Sequence, residues 1–150
     1  MDNMTDKVGL ITLAVGVGVV IAVHLAMNAR IGEMLGSPRT GNSLFWIIGA
    51  LTGLIIWVAS GEWQALKNVG QVHPSLWLAG AMGASIVLAT AFLIPRLGVG
   101  PTTVALVGGQ IAAGVIMSHF GWLSTQVTSL DPARLTGLGL MAIGIGLVMK

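Results

Sequence analysis

The chain reads as an all-α membrane protein with five crossings, and three observations predict it. First, five apolar stretches fill most of its 150 residues, roughly 8–28, 40–60, 75–94, 101–120 and 132–149. A bilayer core about 30 Å thick needs about 20 helical residues per crossing, so each stretch has close to the required length. Second, hydrophobic residues make up 55% of the chain and charged residues 8%, where a water-soluble domain carries about a quarter charged residues. Third, the connections are too short to fold by themselves, so residues 1–150 form a single transmembrane domain. Lipid offers the backbone no hydrogen bonds, and a crossing of this length must close its own as an α-helix.

The first stretch is preceded by Met1–Lys7, which carries two Asp and one Lys, and no small-residue cleavage site precedes a soluble domain. It therefore reads as a retained helix and not a cleavable signal. This helix extends beyond its span, because Asn28–Leu35 is helix-compatible and Gly36 supplies a stop. Ser37-Pro38 then reads as an N-cap followed by proline at the first helical position, opening the second helix. The connection Gly61–Pro74 is the longest, and it has room for a short interfacial helix. Pro95 and Pro101 bracket a tight hairpin between the third and fourth helices. Asp131-Pro132 repeats the cap-then-proline signal and opens the fifth.

Composition excludes several functions. The net charge of +2 rests on seven Lys/Arg against five Asp/Glu, with no basic run for nucleic acid to bind. There is no cysteine, and so neither a disulfide nor a thiolate metal site. No nucleophile–base pair, metal-ligand cluster or cofactor motif is present, which argues against an enzyme and against a bound cofactor.

Five crossings place the termini on opposite sides of the membrane. The N-terminal side then holds Lys7, Lys67 and Arg134, and the other side holds Arg30, Arg39, Arg96 and Lys150. Lys/Arg bias in short loops sets orientation, and here it almost vanishes. Such balance fits either dual topology or an N-out/C-in orientation that wins by a small margin, and the expectation is a chain that pairs antiparallel with a second copy or with an oppositely oriented homologous chain. The product is a ten-helix inverted-repeat dimer, an arrangement common among secondary transporters. Trp57, Trp63, Trp77 and Trp122 fall near the N-terminal side, as an aromatic belt does, while Trp46 lies toward the other face.

Small residues recur every four positions: Ala14, Gly18, Ala22 and Ala26; Gly49 and Gly53; Gly80 and Ala84; Ala105, Gly109 and Ala113. The last helix carries Gly137, Gly139, Gly144 and Gly146. In lipid such stripes let backbones approach closely, so they mark packing faces within the bundle or at a dimer seam.

Polar groups at membrane depth are costly and by default suggest function. His24 and Asn28 stand one turn apart, Asn42 and Ser43 open the second helix, Thr102 and Thr103 open the fourth, and Gln110 lies deeper. These groups share one half of the membrane, where they line a polar cavity or simply bond helix to helix. The lone hydroxyls Thr52, Ser85 and Thr90 need only their own helix carbonyls. No Asp or Glu lies inside a span, which leaves His24 as the single titratable candidate for proton coupling there.

The order and spacing of several motifs bring a family into view. They are His24-x-x-x-Asn28-x-x-Ile31-Gly32, Gly36-Ser37-Pro38, Ser43 with Gly49, and Trp77-x-x-Gly80-x-x-Gly83. Pro95-Arg96-Leu97-Gly98, Gly109-Gln110, His119-Phe120-Gly121 and Arg134-Leu135-x-Gly137 continue the series. Together they resemble the YdcZ-like inner-membrane exporter family of the drug/metabolite transporter superfamily, over nearly the whole chain. The resemblance implies a multi-pass protein of the bacterial inner membrane that moves a small molecule, with Asn28 and Gln110 as cavity residues. His24 stands where many relatives are expected to have glutamine, and Ser118 where aspartate is expected before His-Phe-Gly. The small multidrug exporters of that superfamily use a carboxylate in their first helix, and this chain has none. Proton-driven efflux of cationic drugs is therefore not implied.

The function that follows is alternating-access transport of a small neutral or weakly polar solute. His24, Asn28, Ser43, Trp46 and Gln110 are the candidate binding residues, with the lipid bilayer and an opposed chain as partners. The alternative is a non-transporting scaffold or accessory subunit, in which the same polar groups only bond within the bundle.

Overall fold

In the computed structural model, which describes residues 4–150, the elements are all helical. They are α1 (Met4–Met34), α2 (Pro38–Ser60), α3 (Leu78–Leu97), α4 (Val99–Phe120) and α5 (Pro132–Val148). Runs of 3-10 turns at Trp63–Gln71 and Pro74–Trp77 bridge α2 and α3, and a third, at Trp122–Ser124, follows α4. The first four helical segments are long and apolar enough to cross a membrane. The fifth is an apolar helix of 17 residues, about 26 Å at 1.5 Å per residue. That length meets the lower limit for a crossing.

The helix ends follow from local chemistry. At the end of α1 the chain turns on Gly36, whose φ of 63° a Cβ would disfavour. The Gly36 N–H donates to the Glu33 carbonyl and the Ser37 N–H to the Gly32 carbonyl, both at 3.0 Å. Ser37 then caps α2, its hydroxyl accepting from the Thr40 amide, with Pro38 at the first position. Asp131 caps α5 in the same way, accepting from the Arg134 amide at 2.8 Å.

One boundary differs from the sequence expectation. Pro95 lies inside α3 and Pro101 within the first turn of α4, so Gly98 alone separates the two helices. A proline two residues before a helix's last residue breaks only one late hydrogen bond, and one in a first turn breaks none that matters. The long connection after α2 does contain helical structure, as 3-10 turns, and Trp63 at its start meets Trp57 edge to face at 4.5 Å.

The chain divides into two compact units, Met1–Arg96 and Leu97–Lys150. In the first, α1 and α2 meet at their shared turn so closely that a Cβ on Gly41 would lie 2.9 Å from Gly32 Cα. The Trp46 ring covers Gly83 of α3, and the Asn42 carboxamide donates to the Ala84 carbonyl at 3.3 Å. In the second unit Ile145 of α5 fills the space over Gly108 of α4. Beyond α4, Thr125 donates to the Met117 carbonyl and the Thr128 amide to the Ser118 carbonyl, folding the chain back onto the helix end.

The small-residue stripes behave differently from the expectation of packing within the chain. Gly18, Gly49, Gly53, Gly80, Gly109 and all four α5 glycines have open space where a Cβ would stand. Among the described residues the glycines with close neighbours are instead Gly32, Gly41, Gly83, Gly98, Gly108 and Gly121. Spacing marks a face that can accept a close neighbour, but it does not say that the same chain supplies one.

Candidate functional site

The interior is polar and small, and the exterior is apolar. The largest fully buried side chains are Asn28, Thr90 and Thr102. Leu25 and Val87 are the large hydrophobic residues that join them inside, while dozens of Val, Leu and Ile side chains face outward. This is the pattern lipid selects, since apolar chains gain nothing by leaving it for a protein interior.

Four candidate residues fall in the first unit. His24 is half-buried, its ring stacked on Phe45 of α2 with centroids 5.5 Å apart. One turn on, Asn28 is wholly buried on the α1 stripe Leu25, Asn28, Ala29 and Gly32. Neither its Oδ1 nor its Nδ2 has a hydrogen-bond partner in the protein. Trp46 is half-buried and meets Phe45 edge to face at 5.8 Å, and its buried Nε1 also has no partner. Ser43 is exposed and donates to the Arg39 carbonyl of its own helix at 3.0 Å. That back-bond satisfies its hydroxyl locally.

Asn42 belongs with this group, although sequence reasoning did not choose it among the binding residues. It is 8% exposed, and while its Nδ2 is engaged with the Ala84 carbonyl, its Oδ1 is buried and unpartnered. The signal was available: Asn42 and Trp46 are four apart, and so share a helix face. The hydroxyl of Thr90, by contrast, is satisfied by the Val87 carbonyl at 2.8 Å. The first unit therefore presents four buried, unpartnered polar atoms: two acceptors and two donors, none charged.

In the second unit, Thr102 is buried with an unpartnered hydroxyl, and Gln110 is exposed on α4. Near the end of α4, His119 Nδ1 is buried without a partner, and its ring meets Phe120 edge to face at 4.9 Å.

Apolar helices of spanning length around buried amides and hydroxyls define an integral membrane protein with a polar interior. Residues 9–147 match the model of the family described as "Putative inner membrane exporter, YdcZ", and the chain belongs to that family. The motif resemblance read from His24 to Gly137 is thereby borne out. That description names an exporter. No match was found among curated proteins or among solved structures.

Proposed function

We propose that the chain moves a small neutral or weakly polar solute across the bacterial inner membrane by alternating access. It would act as an antiparallel pair, either of two copies or with an opposed homologue of the drug/metabolite transporter superfamily. The observation that carries this reading is the Asn28 carboxamide, wholly buried with both of its polar atoms unpartnered. Buried polar groups in native proteins are almost always bonded, and an unsatisfied one costs about 1–3 kcal/mol. A solute offering one donor and one acceptor would satisfy Asn28, and Asn42 Oδ1 and Trp46 Nε1 provide two further points of attachment. The absence of Asp and Glu from the apolar segments favours an uncharged cargo, because a carboxylate would hold a cation. The near balance of Lys and Arg between the two faces supports the opposed pair.

The test is flux in proteoliposomes loaded with a panel of neutral solutes, comparing the parent chain with Asn28→Leu and Gln110→Ala. Loss of flux in Asn28→Leu, with the protein still folded, supports the reading. Flux that survives this change refutes the assignment of Asn28, and no flux for any solute in the parent favours the scaffold. Tags on each terminus, probed from both sides of sealed vesicles, test the pairing. A single uniform orientation with no opposed partner would remove it.

A further inference from the structure

The first unit holds a second polar feature that the transport reading does not use. A cavity of about 470 Å³ opens where α1, the α1–α2 turn and α3 come together. Its walls are Gly32, Glu33, Gly36 and Pro38 on one side and Ala91, Phe92, Pro95 and Arg96 on the other. The volume lies in the range of small-molecule sites. Its lining is mainly apolar, with one carboxylate and one guanidinium on opposite walls.

Both charged groups are placed for use. Arg96 folds back along α3, donating one N–H to the Phe92 carbonyl at 2.5 Å, with its guanidinium 5.8 Å from the Phe92 ring centre. A guanidinium has five N–H donors, so most of the fork that grips carboxylates and phosphates remains available. Glu33 pairs with Arg30 at 3.1 Å, but those side chains are 44% and 71% exposed. Exposed pairs of this kind contribute about 0–1 kcal/mol and exchange readily. Pro95 adds a third group. It has no N–H, which deprives the Ala91 carbonyl of its usual helical donor on a residue that lines the cavity.

We propose that this cavity binds a zwitterion. Its anionic group sits on Arg96, and its primary ammonium sits between the Glu33 carboxylate and the Ala91 carbonyl. A primary ammonium has three N–H donors to satisfy, and these two acceptors suit it better than they suit a methylated one. The same chemistry is found in an ethanolamine phospholipid headgroup and in a free aqueous zwitterion.

Native mass spectrometry of the full-length protein in detergent separates the possibilities. Its probes are phosphatidylethanolamine, phosphatidylcholine, phosphatidylglycerol and soluble phosphoethanolamine. The ethanolamine lipid should bind at least about tenfold tighter than the other two lipids, since hydrogen bonds to charged groups decide a decade of affinity or more. Glu33→Gln should erase the preference over phosphatidylcholine, and Arg96→Gln should weaken the lipid probes together. Glu33 is exposed and Gln is nearly isosteric with it, so this variant is expected to fold, and size-exclusion chromatography confirms it. Displacement of the lipid by millimolar phosphoethanolamine assigns the site to a free solute. Resistance to displacement assigns it to lipid. Equal affinity for all three lipids with no phosphoethanolamine binding overturns the proposal, as does a preference unchanged in both variants. Binding is read at equilibrium without flux, so failure here leaves the Asn28 reading standing, and the reverse.

Discussion

Replacing Gly41 by alanine tests the tightest contact in the first unit. The added Cβ would lie 2.9 Å from both Cα and N of Gly32 and 3.4 Å from the carbonyl carbon of Ile31. Carbon atoms prefer about 3.5–4.0 Å, so α1 and α2 must part by roughly half an ångström. All three obstructing atoms are backbone, and none can swing aside as a side-chain tip would. The turn is also held from within, by the Ser37 amide on the Gly32 carbonyl and the Ser37 cap on Thr40. Gly32 itself has Pro38 Cα 3.0 Å from where its own Cβ would stand, which closes the other direction of escape.

Overpacking a tight site costs about 1–3 kcal/mol, and alanine returns about 0.5–1 kcal/mol through its helix preference. The net loss for Gly41→Ala should be about 0.5–2 kcal/mol. Gly100→Ala is the control, because that glycine lies in the first turn of α4 with open space around it. It should be neutral or slightly stabilising. Unfolding by SDS in mixed micelles, followed by helicity, measures both variants. If Gly41→Ala unfolds at the same SDS fraction as the parent, α1 and α2 do not approach as described and the steric reasoning fails.

Three further outcomes are expected in the same unfolding assay. Asn28→Leu should hold or raise stability, since it replaces unpartnered buried polar atoms that cost about 1–3 kcal/mol. A loss above about 1 kcal/mol would mean that Asn28 is held by bonds within the protein. Asp131→Ala should cost about 1 kcal/mol by leaving the Arg134 amide uncapped, with Asp131→Asn largely preserving stability; equal stability of the Ala variant would discount the cap. A double-mutant cycle of Trp57→Leu and Trp63→Leu should give a coupling of about 0.5–1.5 kcal/mol for the edge-to-face pair, and zero coupling would place the two rings apart.

What the sequence made legible was what neighbouring residues decide among themselves. Gly36, Ser37-Pro38 and Asp131-Pro132 mark helix ends because a positive φ, a side-chain acceptor and a missing N–H each act within four residues. Pro95 misled because the same missing N–H matters little so near a helix end. The glycine stripes were less informative for a different reason. Repeat spacing is a property of one helix, whereas contact depends on a second surface, and only Gly32, Gly41, Gly83 and Gly108 meet one from another helix or its connecting turn. Adjacent positions also part company: Asn42 turns inward and Ser43 outward, because successive helical residues point about 100° apart.

The distribution of surface explains why the amide of Asn28 matters more than the other candidates. Large apolar side chains are exposed along all five helices. Such a surface is tolerable only against lipid or another apolar surface. In that setting hydrophobicity does not decide which side chains turn inward; small size and hydrogen bonding do. Ala29, Gly32, Gly41, Ala91 and Gly108 are inside because they are small, and Thr90 because its hydroxyl has the Val87 carbonyl. Ser43 bonds to its own helix and is exposed, and His24 is only half-buried, with Phe45 stacked on its ring. Asn28 is neither small nor bonded. A group from outside the chain that bonded both of its carboxamide atoms would remove the cost of burying it, and on the proposed reading the transported solute would be that group.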